Sequence, residues 1–454
     1  MRAVHYYTGR SAILPHVRPN WLFSRIPRYH FCMAAQPEQP NILSFEAARA
    51  LVEEHASRVR ARGRELLSLL DSLGRVLAEA VHADRDFPPF PRATRDGYAL
   101  RAADVETVPA ELQIVGEIRA GGTSPVASVE TGQAVAIMTG APVPNGAGAV
   151  VMVEHTSRSG NRVHVNRRIA SGDNIVPAGA EAKRGETLLS PGVRIGYAEI
   201  ALASSLGRTR LLVHSKPKVA VLSTGDEVVD IDVSPGPNQI RNSNSYSLAA
   251  QVKTAGGDPL LLPIAPDEPK RLRELLLEGL DSDLLLITGG VSMGEYDLVE
   301  QVLAELKAEF FFTAAQIQPG KPVVFGRIRF GQERASNTES GGCKYFFGLP
   351  GNPISTMVTF ELFAKPMLQA LAGMMPQKLI FTYAKLKSEI RTKTGLKRFL
   401  PAVLSGELER SEVELVRWQG SGDIASVARS NCFLVVPPDR ERIEAGEWVP
   451  VLLR

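Results

Sequence analysis

Four turns in the middle of the chain carry residue types that bind phosphate groups and metal ions. They are Thr224-Gly225-Asp226-Glu227, Thr288-Gly289-Gly290-Val291-Ser292-Met293-Gly294 followed by Glu295-Tyr296-Asp297, Pro319-Gly320-Lys321-Pro322, and Leu349-Pro350-Gly351-Asn352-Pro353. Glycine-rich turns that open helices present backbone N–H groups, which bind phosphate. Asp226, Glu227 and Asp297 would repel a phosphate unless a hard cation such as Mg²⁺ lay between them. Lys321 adds a positive charge for an oxyanion.

The segments between these turns predict the sheet that positions them. Residues 216–374 alternate short apolar runs, such as Val219–Leu222 and Leu284–Ile287, with amphipathic helices. Continuous apolar strands between helices are typical of a doubly wound parallel sheet that is covered on both faces. Ligands of such sheets bind outside the carboxyl ends of the strands. We therefore expect the four turns to meet along one edge of the sheet.

The flanking regions predict β structure and divide the chain. Ser44 is expected to cap a helix, and the proline-rich run Asp86–Pro91 cannot lie inside one. Residues 110–215 read as short strands between Gly and Pro turns, and residues 375–454 return to strand alternation. We predict an N-terminal and linker region over 41–215 with a β-rich domain inserted at about 84–185, an α/β domain over 216–374, and a small β-barrel over 375–454.

Composition excludes several classes of protein. A chain of 454 residues with 44% apolar and 22% charged residues is typical of a globular protein of about three domains. No apolar run approaches the ~18 residues of a membrane span, so we expect no membrane partner. The three cysteines are too scattered for a disulfide framework, and they suit a reducing cytosol, which predicts a cytoplasmic location.

Residues 1–40 are expected to be an extension outside the fold. Residues 1–32 contain five arginines and no acid, which is typical either of an organellar transit peptide or of a start upstream of a true Met33. We interpret the segment as disordered or mis-started. Without those arginines the formal charge of +3 disappears, because 47 basic residues remain against 49 acidic ones. The chain therefore lacks the field that nucleic-acid binding needs.

One motif match is excluded by chain order. Gly290-Val291-Ser292-Met293-Gly294 fits the G-x-S-x-G turn of α/β-hydrolases. That mechanism needs a histidine after the serine, and the last histidine of the chain is His214. The sequence also has no GxxxxGK[ST], HExxH or CxxC motif, which excludes a P-loop and the common zinc sites.

The same turns resemble those of the molybdenum-cofactor biosynthesis domain. Outside that domain, three segments resemble the N-terminal half of the MoeA family and two resemble its C-terminal barrel: Arg95–Ala99, Ile137–Pro144, Ser171–Ile175, Gln419–Ser421 and Ser430–Phe433. The resemblance covers residues 41–454 in the family's order. It implies a central doubly wound α/β molybdenum-cofactor biosynthesis domain, a β-rich N-terminal region, a C-terminal β-barrel and a homodimer.

The resemblance also implies a reaction. MoeA proteins are molybdopterin molybdenumtransferases, related to the C-terminal part of gephyrin, and convert adenylylated molybdopterin and molybdate into molybdenum cofactor and AMP with Mg²⁺. Asp226, Glu227 and Asp297 would bind the metal, and Lys321 would stabilise charge on the anhydride. Possible protein partners are the molybdopterin adenylyltransferase and the apo-molybdoenzymes. The implied substrate-binding residues are Asp96, Thr139, Glu181, Thr224, Gly225, Gly289, Gly290, Ser292, Gly294, Pro350, Gly351, Pro353 and Ser421.

The sequence departs from the family pattern at several positions. Arg92 and Arg95 add two cations before Asp96, and Gln318 stands where a lysine is common. Pro401 stands where the family has an arginine that acts with the serine matching Ser421. Lys397 and Arg398 are the nearby cations that could substitute for it.

Two alternatives to the molybdenum-inserting enzyme remain at this point. A non-catalytic carrier or assembly protein could keep the fold, but it would not need clustered carboxylates at strand ends. A tungstate-inserting paralogue would use the same residues, because the two oxyanions are nearly isosteric.

Overall fold

The computed structural model describes residues 41–124, 127–290, 298–329, 343–375 and 377–454. The extension expected at residues 1–40 lies outside this range, as do Ser292, Gly294 and Asp297. Within the described residues, no helix combines the length and the apolar character that crossing a membrane requires.

The N-terminal region is β-rich, as expected. Its strands are β1 (Ile42–Leu43), β2 (Arg64–Ser68), β3 (Val81–His82), β4 (Arg92–Ala93), β5 (Gly97–Leu100), β6 (Ala110–Ile118), β7 (Gln133–Ile137), β8 (Ala149–Met152), β9 (Thr156–Ser159), β10 (Arg162–Val165), β11 (Ile175–Val176), β12 (Thr187–Leu189) and β13 (Arg210–His214), and its α-helices are α1 (Phe45–Ser57) and α2 (Tyr197–Ser205). Short 3₁₀ helices cover Leu70–Ser72, Ala102–Val105 and Val153–His155. Strands β5 to β10 form one six-stranded sheet in the order β8-β5-β7-β6-β10-β9.

The central region forms a seven-stranded sheet with helices on both faces. Its elements are β14 (Lys218–Ser223), β15 (Val228–Val229), β16 (Ile240–Arg241), α3 (Ser243–Thr254), β17 (Asp258–Leu261), α4 (Pro269–Gly279), β18 (Leu284–Thr288), α5 (Leu298–Glu305), β19 (Glu309–Ala315), β20 (Ile317–Gln318), β21 (Pro322–Arg329), β22 (Cys343–Leu349), α6 (Pro353–Thr359), a π-helical turn (Phe360–Ala364) and α7 (Lys365–Leu371). The strand order is β1-β19-β21-β22-β18-β14-β17.

Alternation along the strands explains why both faces of this sheet are covered. In β14, Val219 and Val221 pack into one core with α1, α3, α6 and α7, whereas Ala220 and Leu222 pack into a second core with α4 and α5. Successive side chains of a strand point to opposite faces, so an unbroken apolar strand needs a helix layer on each side. This arrangement confirms the prediction of a doubly wound α/β domain.

The expectation of an all-parallel sheet was wrong for one strand. β21 runs antiparallel to both of its neighbours, β19 and β22. A parallel connection needs a crossover of a dozen or more residues, and only residues 316–321 separate β19 from β21. The short connection therefore forces β21 to run back along the sheet.

The first helix and strand join this sheet rather than the β-rich region. Ser44 caps α1 through a hydrogen bond from the Ala47 backbone N–H to Ser44 Oγ at 3.1 Å, which confirms the predicted helix start. β1 pairs in parallel with β19, and α1 packs against α7. The chain therefore enters at the edge of the α/β sheet before it builds the β-rich region.

The C-terminal region closes into a barrel. Its elements are β23 (Phe381–Leu386), β24 (Ile390–Arg391), β25 (Lys397–Ser405), a 3₁₀ helix (Leu408–Arg410), β26 (Glu412–Leu415), α8 (Ile424–Ala428), β27 (Cys432–Val436), β28 (Arg442–Ile443) and β29 (Trp448–Leu453). Neighbours pair in the order β25-β26-β23-β29-β27, and β27 pairs back with β25. The five strands form a closed barrel, which confirms the predicted small β-barrel, and β20 extends it by pairing with β25.

A buried histidine links α1 to the sheet. His55 is 5% exposed, its ring stacks on Phe311 at a centroid distance of 4.0 Å, and its Nδ1 lies 3.2 Å from the Tyr345 hydroxyl. Burial lowers the pKa of His55, and the nearby charges of Arg327 and Arg58 lower it further. The folded protein therefore favours the neutral imidazole.

This depressed pKa predicts that the fold loses stability in mild acid. Below the ordinary histidine pKa of about 6.5, the unfolded chain binds a proton that folded His55 still rejects. Stability should therefore fall as the pH drops from about 6.5 towards the folded pKa. Urea unfolding at pH 7.5 and pH 5.5 measures this change. The His55→Phe variant should lose less stability over this interval than wild type, whereas His82→Gln, at an exposed position, should match wild type. An unchanged pH dependence in His55→Phe would contradict the assignment.

Candidate active site

Three parallel strands end side by side. Ser223 of β14 pairs with Thr288 of β18, and Thr288 pairs with Leu349 of β22. The turns that follow these residues therefore leave the sheet at the same edge. β21 is antiparallel to β22, so its first residue, Pro322, lies beside the end of β22 and brings the Lys321 turn to this edge. The predicted meeting of the turns is observed for their described residues.

Glycines allow these turns to lie against each other. Gly289 has φ +90°, and a Cβ there would lie 2.5 Å from the Thr224 carbonyl oxygen. A Cβ on Gly290 would lie 2.8 Å from Thr224 Oγ1, and one on Gly351 would lie 3.5 Å from the Gly289 Cα. The Thr224 and Gly225 backbone N–H groups are used within the fold, donating to Thr288 O and Ala265 O. The glycines therefore let the turns pack directly on each other, backbone against backbone.

An asparagine at the start of α3 fastens two of the strand ends, and the sequence analysis missed it. Asn244 Nδ2 donates to Thr288 Oγ1 at 2.9 Å and to the Gly351 carbonyl at 2.7 Å. Thr288 Oγ1 in turn donates to the Pro350 carbonyl at 3.1 Å. The run Asn242-Ser243-Asn244-Ser245 before a helix was the available signal, since such residues favour helix N-termini.

Asn242 confirms that this run is a helix start. Its Oδ1 accepts from the Ser245 backbone N–H at 3.1 Å, capping α3, and from the Ser223 hydroxyl at 3.0 Å. All three residues are buried. The end of β14 and the start of α3 are thereby held together.

Replacing Asn244 by alanine should loosen the edge. The substitution leaves the buried Thr288 Oγ1 and the exposed Gly351 carbonyl without their Asn244 donor, and the loss at a buried group is worth about 1–3 kcal/mol. Urea unfolding measures the loss. Asn161→Ala is the control, because Asn161 is exposed and its side chain makes no hydrogen bond among the described residues. Equal stability of the Asn244 and Asn161 variants would contradict the fastening role.

Two buried acceptors at the edge have no protein partner. Thr224 Oγ1 and Asn244 Oδ1 are closed to solvent and make no hydrogen bond to any described residue. Thr224 itself is only 4% exposed. Buried polar groups are almost always hydrogen-bonded. Both atoms therefore lack the hydrogen-bond partner that a buried polar atom usually has.

Three carboxylates gather beside this edge, one of them missed by the sequence analysis. The Asp267 backbone N–H donates to Asp226 Oδ1 at 3.1 Å. Partial burial raises the pKa of Asp267, and the negative charges of Asp226 and Glu227 raise it further. Asp267 reaches the site because the loop after β17 bridges to Thr224 at Ala265, a contact with no sequence pattern.

The chemistry of these carboxylates fits a hard cation. Burial raises the pKa of Asp267 most, the charges of Asp226 and Glu227 raise it further, and a divalent ion would relieve that repulsion. Among the described residues, however, no three His, Cys, Asp or Glu side chains are placed so that they could hold a metal ion. Asp297, the third predicted ligand, lies outside the described residues.

The turns of Lys321 and Ser421 both contact α6, the first at Thr359 and the second at Ile354. A Cβ on Gly320 would lie 2.5 Å from the Thr359 methyl, so the Lys321 turn packs closely on this helix. The Ile354 backbone N–H, next to Pro353, donates to the Ser421 carbonyl at 3.0 Å and brings the barrel to the start of α6. Lys321 is half-buried, and no described carboxylate lies within ion-pair distance of it. Its charge is available to an anion.

Lys397 and Arg398, the two cations near Pro401, lie on opposite faces of β25. Phe399, on one face, packs towards the α/β domain, as does Phe433, which pairs with Pro401 on the neighbouring strand. Leu400 and Ala402, on the other face, pack inside the barrel. Lys397 shares the Pro401 face by strand alternation, but it forms an ion pair with Glu46. Arg398 lies on the other face. Of these two cations, only Lys397 lies on the face of β25 that an arginine at position 401 would occupy.

The predicted residues of the β-rich region form separate pairs. Asp96 Oδ1 accepts from the Thr139 backbone N–H at 2.6 Å and from its hydroxyl at 2.8 Å, and these bonds lower the pKa of Asp96. Glu181 forms an ion pair with Arg92 at 2.6 Å. No hydrogen bond or ion pair between described residues joins Asp96, Thr139 or Glu181 to the α/β edge. The single chain does not bring them into the site.

Three family models match the chain in succession. Residues 43–207 match the MoeA N-terminal region (domain I and II), residues 220–370 a probable molybdopterin binding domain, and residues 383–453 the MoeA C-terminal region (domain IV). Together they account for the β-rich region, the α/β sheet and the barrel.

Full-length relatives give the same result. The molybdopterin molybdenumtransferase of Nostoc sp. is 33% identical over 397 residues, covering 86% of this chain and 88% of that protein. The protein of the same name from Bacillus subtilis is 32% identical over 400 residues, covering 86% and 89%. A crystal structure of the molybdopterin biosynthesis moeA protein of Pyrococcus horikoshii has a TM-score of 0.71 and 29% identity, covering 91% of this chain and all of that one. This chain therefore belongs to the MoeA family.

Proposed function

We propose that this chain is a molybdopterin molybdenumtransferase that takes adenylylated molybdopterin and molybdate and produces molybdenum cofactor and AMP. One observation carries the proposal: the glycine turns after β14, β18 and β22, the carboxylates Asp226 and Glu227, and Lys321 lie along a single edge. A phosphoanhydride needs this combination of close backbone approach, metal-binding oxygens and positive charge.

Asp226, Glu227, Asp267 and Asp297 are the residues that would hold Mg²⁺. A bound Mg²⁺ supplies charge neutralisation at the anhydride phosphates. Lys321 stabilises the charge that develops as the bond to AMP breaks. Positioning and charge stabilisation supply most of the catalysis, as in phosphoryl transfer generally.

The working form is a homodimer. The Asp96–Thr139 pair and the Arg92–Glu181 pair stand apart from the edge of their own chain, and a second copy can bring them to it. Leu66, Leu70 and Leu73 are each more than half exposed and offer apolar surface for a partner. Sedimentation equilibrium measures the oligomeric state, and a monomer at micromolar concentration would contradict this arrangement. The enzyme would act in the cytoplasm between the molybdopterin adenylyltransferase and the apo-molybdoenzymes.

Release of AMP tests the function. Purified chain with adenylylated molybdopterin and Mg²⁺ should release AMP when molybdate is added, and much less without it. No release on adding molybdate would favour the non-catalytic carrier. Tungstate competition in the same assay measures the metal preference. The relatives named above carry the name of a molybdenum enzyme, which favours molybdate.

A further inference from the structure

Two short segments join the N-terminal region to the α/β domain. The chain passes from α1 to β2 through one of them, and it returns from β13 to β14 through the other. The segments run side by side, because β2 pairs with β13 and the Ser215 backbone N–H donates to the Gly63 carbonyl at 3.3 Å. We call residues 59–64 and 214–218 the neck.

The neck carries a concentration of positive charge. Five of its eleven residues are Lys or Arg and none is acidic, the cations being Arg60, Arg62, Arg64, Lys216 and Lys218. All of them except the half-buried Arg62 are exposed. Among the described residues, only Arg62 has a carboxylate partner, Asp283 Oδ1 at 3.5 Å. The charges of the other four are available to a partner.

Neighbouring titratable groups respond to this charge in the folded protein. Burial lowers the pKa of Lys344, and the positive charge of Arg62 lowers it further, although two nearby aspartates act in the opposite direction. Burial also lowers the pKa of His214, and the charge of Arg64 lowers it further. The folded chain therefore keeps the neck cations close enough together to act on the groups beside them.

The surface beside the neck does not form a pocket for a small anion. Lys216 and Arg194 line a cavity of about 10 Å³, which has room for about one water molecule and not for a phosphate. Arg194 is exposed, and its guanidinium donates to the Thr254 carbonyl at 3.0 Å. It adds a sixth cation to the same side of the molecule, so the positive charge is spread over an open surface.

Charge excludes two possible occupants of this surface. Residues 1–32 of the chain contain five arginines and no acid, and a second copy would bring an equally positive neck towards this one. Like charges repel, so neither the extension nor a symmetric copy fits. The occupant must carry negative charge of its own.

A nucleic acid fits this surface less well than an acidic polypeptide. Proteins that bind single strands stack the bases on aromatic side chains, and the neck contains no Phe, Tyr or Trp. Outside the neck and residues 1–32, 42 basic residues stand against 49 acidic ones, so a long polyanion leaving the neck would meet a negative chain. A short acidic segment can bind the neck alone.

The neck lies away from the active edge, where the turns after β14, β18 and β22 meet. Lys218 begins β14 and Ser223 ends it at that edge. A strand rises about 3.3 Å per residue, which separates the neck from the edge by about 16 Å. A partner bound at the neck would leave the edge open to substrate.

We propose that the neck docks an acidic segment of a partner protein, whose Asp and Glu side chains pair with Arg60, Arg64, Lys216 and Lys218. Docking there would hold the partner to the chain while substrate and product exchange at the active edge. The inference goes beyond the proposed reaction and does not rest on it, because the neck uses none of the residues assigned to that reaction.

Binding of a fluorescent decaglutamate peptide to the full chain tests the proposal. Combining Arg60→Gln with Lys216→Gln should weaken peptide binding about fivefold, because each exposed charge pair contributes modestly. The matched control combines Arg410→Gln with Arg429→Gln, which removes two exposed arginines of the C-terminal region, and should bind as wild type does. Wild-type binding should be lost as salt rises from about 0.01 M to about 1 M, since the screening length shortens from about 30 Å to about 3 Å.

Asp283→Asn should change peptide binding in the opposite direction. The Asp283 carboxylate pairs with Arg62 and also accepts from the Lys218 backbone N–H at 2.9 Å. Asparagine keeps an oxygen for that N–H but no longer neutralises Arg62. The variant should therefore bind decaglutamate about twofold more tightly than wild type. Weaker or unchanged binding would contradict the assignment.

Three further results would overturn the proposal. One is wild-type peptide affinity in the double variant of Arg60 and Lys216. Another is equal weakening in the Arg410 and Arg429 control, which would indicate a general effect of net charge. The third is a decathymidylate that binds through the neck as tightly as the peptide, which would make the neck a nucleic-acid surface. The Asp283 variant decides the question even if the neck variant does not fold.

Discussion

Replacing Asp226 by alanine is expected to lower molybdate-dependent AMP release on the order of 10²–10³-fold. Asp226 sits in the turn after β14, and the Asp267 N–H holds its Oδ1 in place at 3.1 Å. Loss of a preorganised charge-stabilising group costs about this much in comparable sites. The substrate affinity should change less, because the glycine turns remain. Single-turnover AMP release at saturating Mg²⁺ measures the effect.

Two further variants test whether the loss of AMP release is specific to the predicted metal-binding residues. Asp232→Ala removes an exposed carboxylate from the loop that follows the same turn, and should release AMP at the wild-type rate. Asp297→Ala, at another of the predicted metal-binding positions, should lose activity as Asp226→Ala does. Equal AMP release by wild type, Asp226→Ala and Asp297→Ala would remove both residues from the reaction.

Replacing Gly289 by alanine is expected to cost about 2–6 kcal/mol of unfolding free energy. Gly289 has φ +90°, which strains a residue with a Cβ by about 1–3 kcal/mol. The new methyl would also lie 2.5 Å from the Thr224 carbonyl, and relieving such an overlap costs about 1–3 kcal/mol more. β14 and β18 would have to separate at the active edge, so AMP release should fall with stability.

Gly256→Ala isolates the contribution of the overlap. Gly256 has a similar φ of +97°, follows α3 in the same domain, and has open space where a Cβ would be. Its replacement should cost only the conformational strain. Urea unfolding of both variants measures the difference. If Gly289→Ala were no less stable than Gly256→Ala, the close approach of the two turns would be contradicted.

Local residue chemistry determined much of this protein from the sequence alone. The apolar run Val219–Leu222 could only be a strand covered on both faces, because every side chain in it needs burial. Ser44 marked the start of α1 through a cap that needs only neighbouring residues. The Gly and acid turns after β14 and β18 predicted a shared edge, because carboxyl ends of parallel strands share one side of a sheet. The MoeA resemblance followed from those turns together with the motifs in the N-terminal and C-terminal regions.

The tertiary structure alone decided which distant residues complete that edge. Asp267 reaches Asp226 through the path of an irregular loop, and Asn244 reaches Gly351 across more than a hundred residues of chain. The direction of β21 depends on the length of one connection, and β1 joins the sheet far from its neighbours in sequence. Such contacts depend on strand order and register, which form only when the whole core packs. Residue type and spacing report local preferences, and they carry no information on these long-range pairings.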